Sequence, residues 1–565
     1  MSAPTPRGGF RLFTRFRGRS QRTGWIGRWY NLGERIAPVT RASPLRRSVQ
    51  LVCLALFLYA FFSVCWPYAE NFSASTFDDR ELVKVELFLL IDPLVGLSTL
   101  LAARLANTAT LWWAAGIVAV CWLVPRGFCG YLCPLGTLID GFDGLVGRRL
   151  RRFRLPDGTA GGWWVNTKYY LLAGVLVSSL CGVLLSGFVA AIPVLTRGLM
   201  FTAAQLQLAV MKGPGHVAPL DWTGLVSIGL FLGIFLLSLL GRRFWCRYVC
   251  PSGALFSLSN VLRIGQRQVA GACIRCGRCI EICPFDAVRE DFTTRTTDCT
   301  WCQACGGVCP PGAIQFATRF RTDRRQAEGE PPLAPRPVSR RAFVVSAAAA
   351  AGAAALIRRP GSATAGGSVR PLRPPGSVPE ERFLDLCIRC GQCLKVCPGP
   401  VLHVAGLEYG WESLWTPVVR PDRAGCHQDC NFCTQVCPTG AIQPLELAAK
   451  RRFPIGLAEV DTDTCLPFRQ TDRRDCDVCF VECRQAGYAA IEMREIEITL
   501  DPPPPAGMFS ELELLAMTRI LAPFVQAEAC VGCGICQYRC HTLYVVQQPI
   551  LERSAIRVLP RDAAR

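Results

Sequence analysis

The stretch Cys273-Ile274-Arg275-Cys276-Gly277-Arg278-Cys279-Ile280-Glu281-Ile282-Cys283-Pro284 sets four cysteines at the spacing C-x2-C-x2-C-x3-C-P. Cys299, Cys302, Cys305 and Cys309 repeat it, as do Cys387, Cys390, Cys393 and Cys397. Cys426, Cys430, Cys433 and Cys437 add one residue after the first cysteine. Cys465, Cys476, Cys479 and Cys483 stretch that gap to ten and end on Arg484 instead of proline. Cys530, Cys533, Cys536 and Cys540 restore the spacing, with His541 in the proline position. These six groups take 24 of the 32 cysteines. Three thiolates on a tight loop cap three irons of a cubane. The fourth is expected on a short helix started near the proline, and Gly277, Gly306, Gly391 and Gly534 are expected to let the backbone curl.

This is the bacterial ferredoxin run, in which the fourth cysteine serves the partner cluster. By that rule Cys273, Cys276, Cys279 and Cys309 hold one cluster, and Cys299, Cys302, Cys305 and Cys283 hold another. The four later groups leave two arrangements open. They pair as neighbours, or they nest, first with last and the middle two together; we favour nesting slightly. Zinc competes for any four cysteines, but this spacing, found four times, argues against it. Packed CxxC pairs also make poor structural disulfides. Six [4Fe-4S] clusters are the expectation.

Outward from the cysteines the chain turns apolar. Half of its 565 residues are hydrophobic, 19% are charged, and the mean hydropathy is +0.26, which excludes a disordered chain and disfavours a wholly soluble one. Four histidines, without any CxxCH, leave no ligands for transmembrane or c-type haem. No GxxxxGK[ST] or strand-borne GxGxxG supports nucleotide chemistry. Val49–Ala69, Ala106–Pro125, Tyr169–Thr196 and Trp222–Gly241 are long enough to cross a hydrocarbon core of about 30 Å. Leu87–Ala103 and Gly198–Met211 read as re-entrant or interfacial. Residues 1–48 carry eleven Arg against Glu34. Together with Arg148–Arg154 and Arg242, Arg243 and Arg247, they set the cytoplasmic side by the positive-inside rule. No nucleic-acid module accompanies this charge. A charged, proline-rich linker follows the first two clusters. Ser339-Arg340-Arg341-Ala342-Phe343-Val344-Val345 and the Ala-rich run after it then match a twin-arginine export signal, with Ala363-Thr364-Ala365 as a cleavage motif.

Eight cysteines remain. Cys53, Cys65, Cys121 and Cys181 are expected singly on apolar helices as small buried residues. The other four form matched motifs, Arg126-Gly127-Phe128-Cys129-Gly130-Tyr131-Leu132-Cys133-Pro134 and Arg243-Phe244-Trp245-Cys246-Arg247-Tyr248-Val249-Cys250-Pro251. Cysteines at i and i+4 are expected on one helical face, so Cys129, Cys133, Cys246 and Cys250 are candidates for one redox or metal site. Asp92, within Leu89-Leu90-Ile91-Asp92-Pro93-Leu94, is a candidate proton acceptor by its apolar setting and a helix cap by its proline. His216 is a weaker candidate.

Through the two CxxxCP motifs and the two cubane motifs after them, residues 49–320 resemble the NapH-type membrane ferredoxins, whose CxxxCP core the NosR-type proteins share. Through the twin arginines and 16 cysteines, residues 339–565 resemble the exported NapG/MauM-type ferredoxins. The resemblance implies quinol oxidation, with electrons passed from the membrane quinol pool to a periplasmic reductase or cytochrome. The alternative is a maturation factor that reduces a metal centre in another protein. The expected fold is an α-helical membrane domain of four spans plus re-entrant segments, fused to α+β ferredoxin-like modules. Its parts are a basic arm (1–48), the membrane domain (49–255), a two-cluster module (256–318), a linker (319–338), the signal or anchor (339–365) and a four-cluster module (366–565). The expected location is a bacterial inner membrane, with 1–48 and 256–338 cytoplasmic and 366–565 periplasmic.

Overall fold

The structure is a computed structural model that describes residues 43–63, 86–104, 108–147, 163–213, 217, 220–319, 339–357, 370–469, 475–497 and 519–561. Most of the basic arm, Arg148–Arg154, His216, Cys65, the linker and the Ala363–Ala365 motif lie outside the described residues.

Apolar sequence builds a helical body: α1 (Pro44–Ser63), α2 (Glu86–Leu90), α3 (Pro93–Ala103), α4 (Thr108–Leu123), α5 (Pro134–Phe142), α6 (Thr167–Leu180), α7 (Ser186–Val189), α8 (Ala191–Phe201), α9 (Ala203–Lys212), α10 (Trp222–Leu237) and α11 (Pro251–Ser259). Among the described residues α1 alone is long and apolar enough to cross a membrane by length and composition; α3, α4 and α10 are apolar but shorter. Tyr169–Thr196 is not one span. Gly182 adopts φ +80°, Gly182 N–H donates to Ser179 O (2.9 Å) and Val183 N–H to Ser178 O (2.8 Å). That is a Schellman stop, which ends α6 and starts a new direction. Gly198–Met211 is likewise divided, at Thr202. Asp92 does cap α3, its Oδ1 accepting from Leu94 N–H (3.1 Å) with Pro93 in the first turn.

The first two-cluster module, module one, is closed by an antiparallel ribbon, β1 (Gly265–Val269) with β2 (Ile314–Thr318). It holds α12 (Arg278–Ile282) and α13 (Ala304–Gly307). Then α14 (Arg340–Ile357) packs along α6, with Ser339 N–H donating to the Tyr170 hydroxyl (3.3 Å) and Ala350 beside Gly174. In the C-terminal part, α15 (Glu380–Leu386), α16 (Gln392–Val396), β3 (Leu402–Val404) and β4 (Pro417–Val419) form one unit. In the next, β5 (Leu457–Val460) pairs with β8 (Ile556–Leu559) around the hairpin of β6 (Ile491–Glu497) and β7 (Arg519–Val525). We call these two units modules two and three.

The long helices run between modules one and two. α1 starts where Ser43 Oγ donates to Cys302 O (2.8 Å) and ends where Lys395 Nζ lies 3.7 Å from the Phe61 ring centre. Its 20 residues make the two contacts about 30 Å apart at 1.5 Å per residue. α6 starts at Lys168, bonded to Asp298 (2.8 Å), and stops just before Leu184, whose carbonyl accepts from Arg389 (2.9 Å). α10 runs the other way, from Thr223, whose carbonyl accepts from Trp415 Nε1 (3.0 Å), toward Arg242, which donates to Glu281 O (2.6 Å). α4 ends at module one, where Trp122 O accepts from Ile264 N–H (2.6 Å).

Candidate metal centres

Four of the six cysteine loops are shaped by a shared backbone pattern. Arg275 and Gly277, Trp301 and Gln303, Arg389 and Gly391, and Gly532 and Gly534 occupy matching positions in four loops, and all have positive φ, between 52° and 84°. Alternating left- and right-handed residues turns successive N–H groups inward into a nest that favours an anionic group. Gly306 is not one of these positions; Gln303 takes the left-handed role in its loop. The expected helix also runs differently. In the loops at 273 and 387, α12 and α16 pass through the third cysteine and end at the fourth, which is extended. The proline follows that stop rather than starting a helix.

The sets assemble across loops. Cys283 lies within electrostatic reach of Cys302, and Cys299 and Cys305 of both; Cys273 and Cys276 gather with Cys279. One cavity is lined by Cys387, Cys390, Cys393 and Cys437, and another by Cys397, Cys426, Cys430 and Cys433. A third is lined by Cys465, Cys476, Cys479 and Cys540, while Cys536 faces Cys530, Cys533 and Cys483. Neighbouring groups therefore exchange their fourth cysteines, and nesting is overturned. The reason is strand pairing: β5 with β8 encloses the last two groups in module three and separates them from module two. Burial pushes the thiols of Cys299, Cys397, Cys465 and Cys533 up to about 12, and sulfurs of the same set push the same way. Such thiols need a metal's charge to ionise. All described cysteines are free. No three His, Cys, Asp or Glu among the described residues surround a point suited to one metal ion. The nests and the four-cysteine cavities fit cubanes, which spread their ligands around a core.

Order follows from the contacts. Glu86 lies near Cys390, and the Gly187 site abuts Ile388 O, so the Cys387 set faces the helical body. α16 carries Cys393 of that set and ends at Cys397 of the next. Cys426 N–H donates to Cys533 O (2.8 Å), joining modules two and three. The Cys465 set lies beyond, where the Tyr544 hydroxyl donates to Cys476 Sγ (3.4 Å).

The CxxxCP motifs form a two-fold pair at the module-one end. They do not share a helical face as expected: Phe128–Leu132 and Trp245–Val249 are wide π-type turns. Cys133 and Cys250 are extended N-caps of α5 and α11, each followed by proline. Arg126 and Arg243, at φ 48° and 49°, cross over. Arg243 donates to Gly136 O (3.0 Å) and Cys129 O (2.9 Å), and Arg126 donates to Gly253 O (3.3 Å). Cys129 lies within electrostatic reach of Cys133, Cys246 and Cys250. Arg243 also binds Asp140 through two nitrogens (2.7 and 2.8 Å), and Arg46 and Arg47 join that carboxylate from α1 at 3.0 and 2.8 Å. Arg243 and Arg247, read above as loop charges, are in fact buried, Arg247 on Asp286. Asp92 is buried and accepts from Ser252 Oγ (3.0 Å), two residues past Cys250. Sequence reasoning quoted Arg126 without a role and Arg243 only as a loop charge; their common place three residues before each first cysteine was the available signal. It missed Asp140 and His403.

The comparisons with known proteins support the iron–sulfur character of the chain. A family model described as a 4Fe-4S binding domain matches residues 106–152 and 223–267, once on each CxxxCP motif, and a second so described matches 269–289. The methylamine utilization ferredoxin-type protein MauM of Paracoccus denitrificans is 32% identical over 238 residues, 40% of this chain and 90% of the relative. The chain belongs to the MauM/NapG ferredoxin-type family. MauM of Methylorubrum extorquens is 32% identical over 34% of this chain and 73% of its own. The ferredoxin-type protein NapG of Escherichia coli is 36% identical over 34% and 72%. No solved structure matches. The chain is thus an iron–sulfur protein of ferredoxin type.

Proposed function

We propose that the chain is a membrane-bound electron conduit with six [4Fe-4S] clusters that oxidises quinol and passes electrons to a periplasmic reductase or cytochrome. The observation that carries this reading is polarity: cluster modules sit at both ends of a helical body about as long as a bilayer core is thick. From the module-two end, four cysteine sets lead outward in sequence. The body's flanks support a lipid setting, because Leu51, Trp112, Leu206, Leu225, Leu230 and Leu236 are exposed on its helices. So wide an exposed apolar surface is rare on soluble monomers. On this reading the NapH-like part and the NapG/MauM-like part are fused. Residues 1–48 and 256–338 face the cytoplasm and 366–565 the periplasm of a bacterial inner membrane, after twin-arginine export. Cys129, Cys133, Cys246 and Cys250 form one redox site beside module one, with Arg126 and Arg243 balancing its negative charge.

The test is anaerobic reduction of the purified, iron-loaded chain by a short-tailed quinol, with iron and sulfide analysis alongside. About 24 irons per chain are expected from six cubanes. Clusters that stay oxidised under excess quinol of sufficiently low potential would overturn the reading. Cys129→Ser with Cys246→Ser is expected to slow reduction of module one. Unchanged reduction of both cluster sets would make the paired motifs structural.

A further inference from the structure

We propose that quinol is bound in the cavity between α9, the start of α10 and the Cys397–Val404 segment of module two. This inference rests on the quinol reading above and assigns its site, away from the CxxxCP motifs and Asp92. The cavity is a cleft partly open to its surroundings. Its body-side wall is Phe201, Gln205, Leu208 and Leu220, and its module-side wall includes Cys397 and His403.

Three features select a quinol as the occupant. First, the cavity shares Cys397, Pro398, Gly399 and Leu402 with the cavity lined by Cys397, Cys426, Cys430 and Cys433. A bound ring is therefore one wall away from a cluster's ligands. Second, Leu206, Val210, Leu220 and Leu225 stand exposed on the same two helices and their junction, so an isoprenoid tail leaves along an apolar flank. Third, the walls offer two acceptors to a molecule with two hydroxyl donors. Gln205 Oε1 is buried without a hydrogen-bond partner among the described residues. His403 Nε2 lies 2.9 Å from Pro400 O; a carbonyl only accepts, so Nε2 carries the proton and Nδ1 of the neutral ring is an acceptor. Burial also favours that neutral ring.

In the step, both quinol O–H bonds break and both C–O bonds become carbonyls. His403 Nδ1 takes one proton, and the second leaves through Asp221, exposed at the rim. The two electrons are taken singly by oxidised iron–sulfur clusters, the oxidant of the proposed function. Gln205 holds one oxygen and stays neutral.

The experiment uses the full, iron-loaded chain in lipid nanodiscs with an azidoquinone photoprobe and peptide mapping. Adducts are expected on residues 201–208 and 398–404, and a competing quinone should suppress them. Adducts at Asp92 or Ser252, or labelling that no quinone competes with, would overturn the site. Gln205→Leu and His403→Gln are each expected to weaken probe binding about tenfold, the loss of one hydrogen bond, with iron content unchanged. His403→Gln should also slow cluster reduction by roughly a hundredfold, as for loss of a general base. If quinol reduces the wild-type clusters while both variants bind and react normally, this site is wrong and the conduit stands. If quinol reduces no cluster in the iron-replete wild type, the conduit reading fails and the site falls with it.

Discussion

Exchange of fourth cysteines between neighbouring groups makes an arithmetic prediction. Cys397 follows the Cys387 group in sequence but lines the cavity of Cys426, Cys430 and Cys433. Cys397→Ala and Cys430→Ala should therefore remove the same cluster. Each single variant should lose about four irons per chain, and the double variant also about four, since a cubane holds four. Cys397→Ala combined with Cys530→Ala should lose about eight, because those ligands lie in modules two and three. Nesting predicts different doubles: Cys397 would then serve the Cys530 group, so Cys397 with Cys430 would cost about eight irons and Cys397 with Cys530 about four. Anaerobic iron and sulfide analysis, with low-temperature electron paramagnetic resonance after dithionite reduction, reads the difference directly. Collapse of a whole module is recognisable, since Cys433→Ala alone would then also lose about eight. A Cys397/Cys430 double that loses twice what each single loses, without such collapse, refutes the exchange.

Asp140→Asn should destabilise the junction of α1, α5 and the second CxxxCP motif by about 3–5 kcal/mol, because it strands buried arginines that its carboxylate now pairs; thermal unfolding in detergent, with Glu495→Gln as an exposed control, checks it. Burial alone would raise the Asp140 carboxyl, but Arg243 and Arg46 hold it well below the usual carboxylate range, so the pair stays ionised across ordinary pH. Tyr544→Phe removes the hydroxyl donor to Cys476 and should lower the potential of the outermost cluster. If about 1 kcal/mol of that bond distinguishes the two oxidation states, the shift is about 40 mV for one electron, read by redox titration. Asp92→Asn keeps a cap for α3 and should leave the melting temperature within a degree or two and quinol-driven reduction unchanged, because the proposed cavity sends its protons through His403 and Asp221; slowed reduction at normal stability would make Asp92 a proton carrier and count against that cavity.

What the sequence disclosed and what it hid divide along the range of the interactions. Cubane ligation is local, so four residues in eleven announce it, and the family comparisons agree. Asp92-Pro93 announced the α3 cap for the same reason. Gly182 also carried a local signal, but hydropathy averaged over the segment masked it. The pairing of cysteine groups was hidden because β5 and β8 meet across almost a hundred residues. The roles of Arg126 and Arg243 were hidden likewise, since their acceptors lie 107 to 127 positions away. Asp140 looked like an ordinary polar residue in a short amphipathic helix until three arginines from two distant segments closed on it.

On the proposed reading the helical body presents one redox face to each module, which matters because of its length. Clusters at opposite ends are separated by roughly the 30 Å of α1, and tunnelling decays exponentially with distance. The four CxxxCP thiols lie at the module-one end, where the Tyr131 hydroxyl donates to Trp301 O, the residue before Cys302. The cavity walled by Cys397 lies at the module-two end. On the proposed reading, electrons released at that cavity would reach the outward series of cysteine sets without crossing the body, so the outward path would need no transmembrane carrier. α14 runs along α6 between the same two ends and carries the chain from one module toward the other. Cleavage after Ala365 would not detach module two from the body. Arg389 on Leu184 O, Trp415 on Thr223 O and Lys395 over Phe61 hold it independently of that connection.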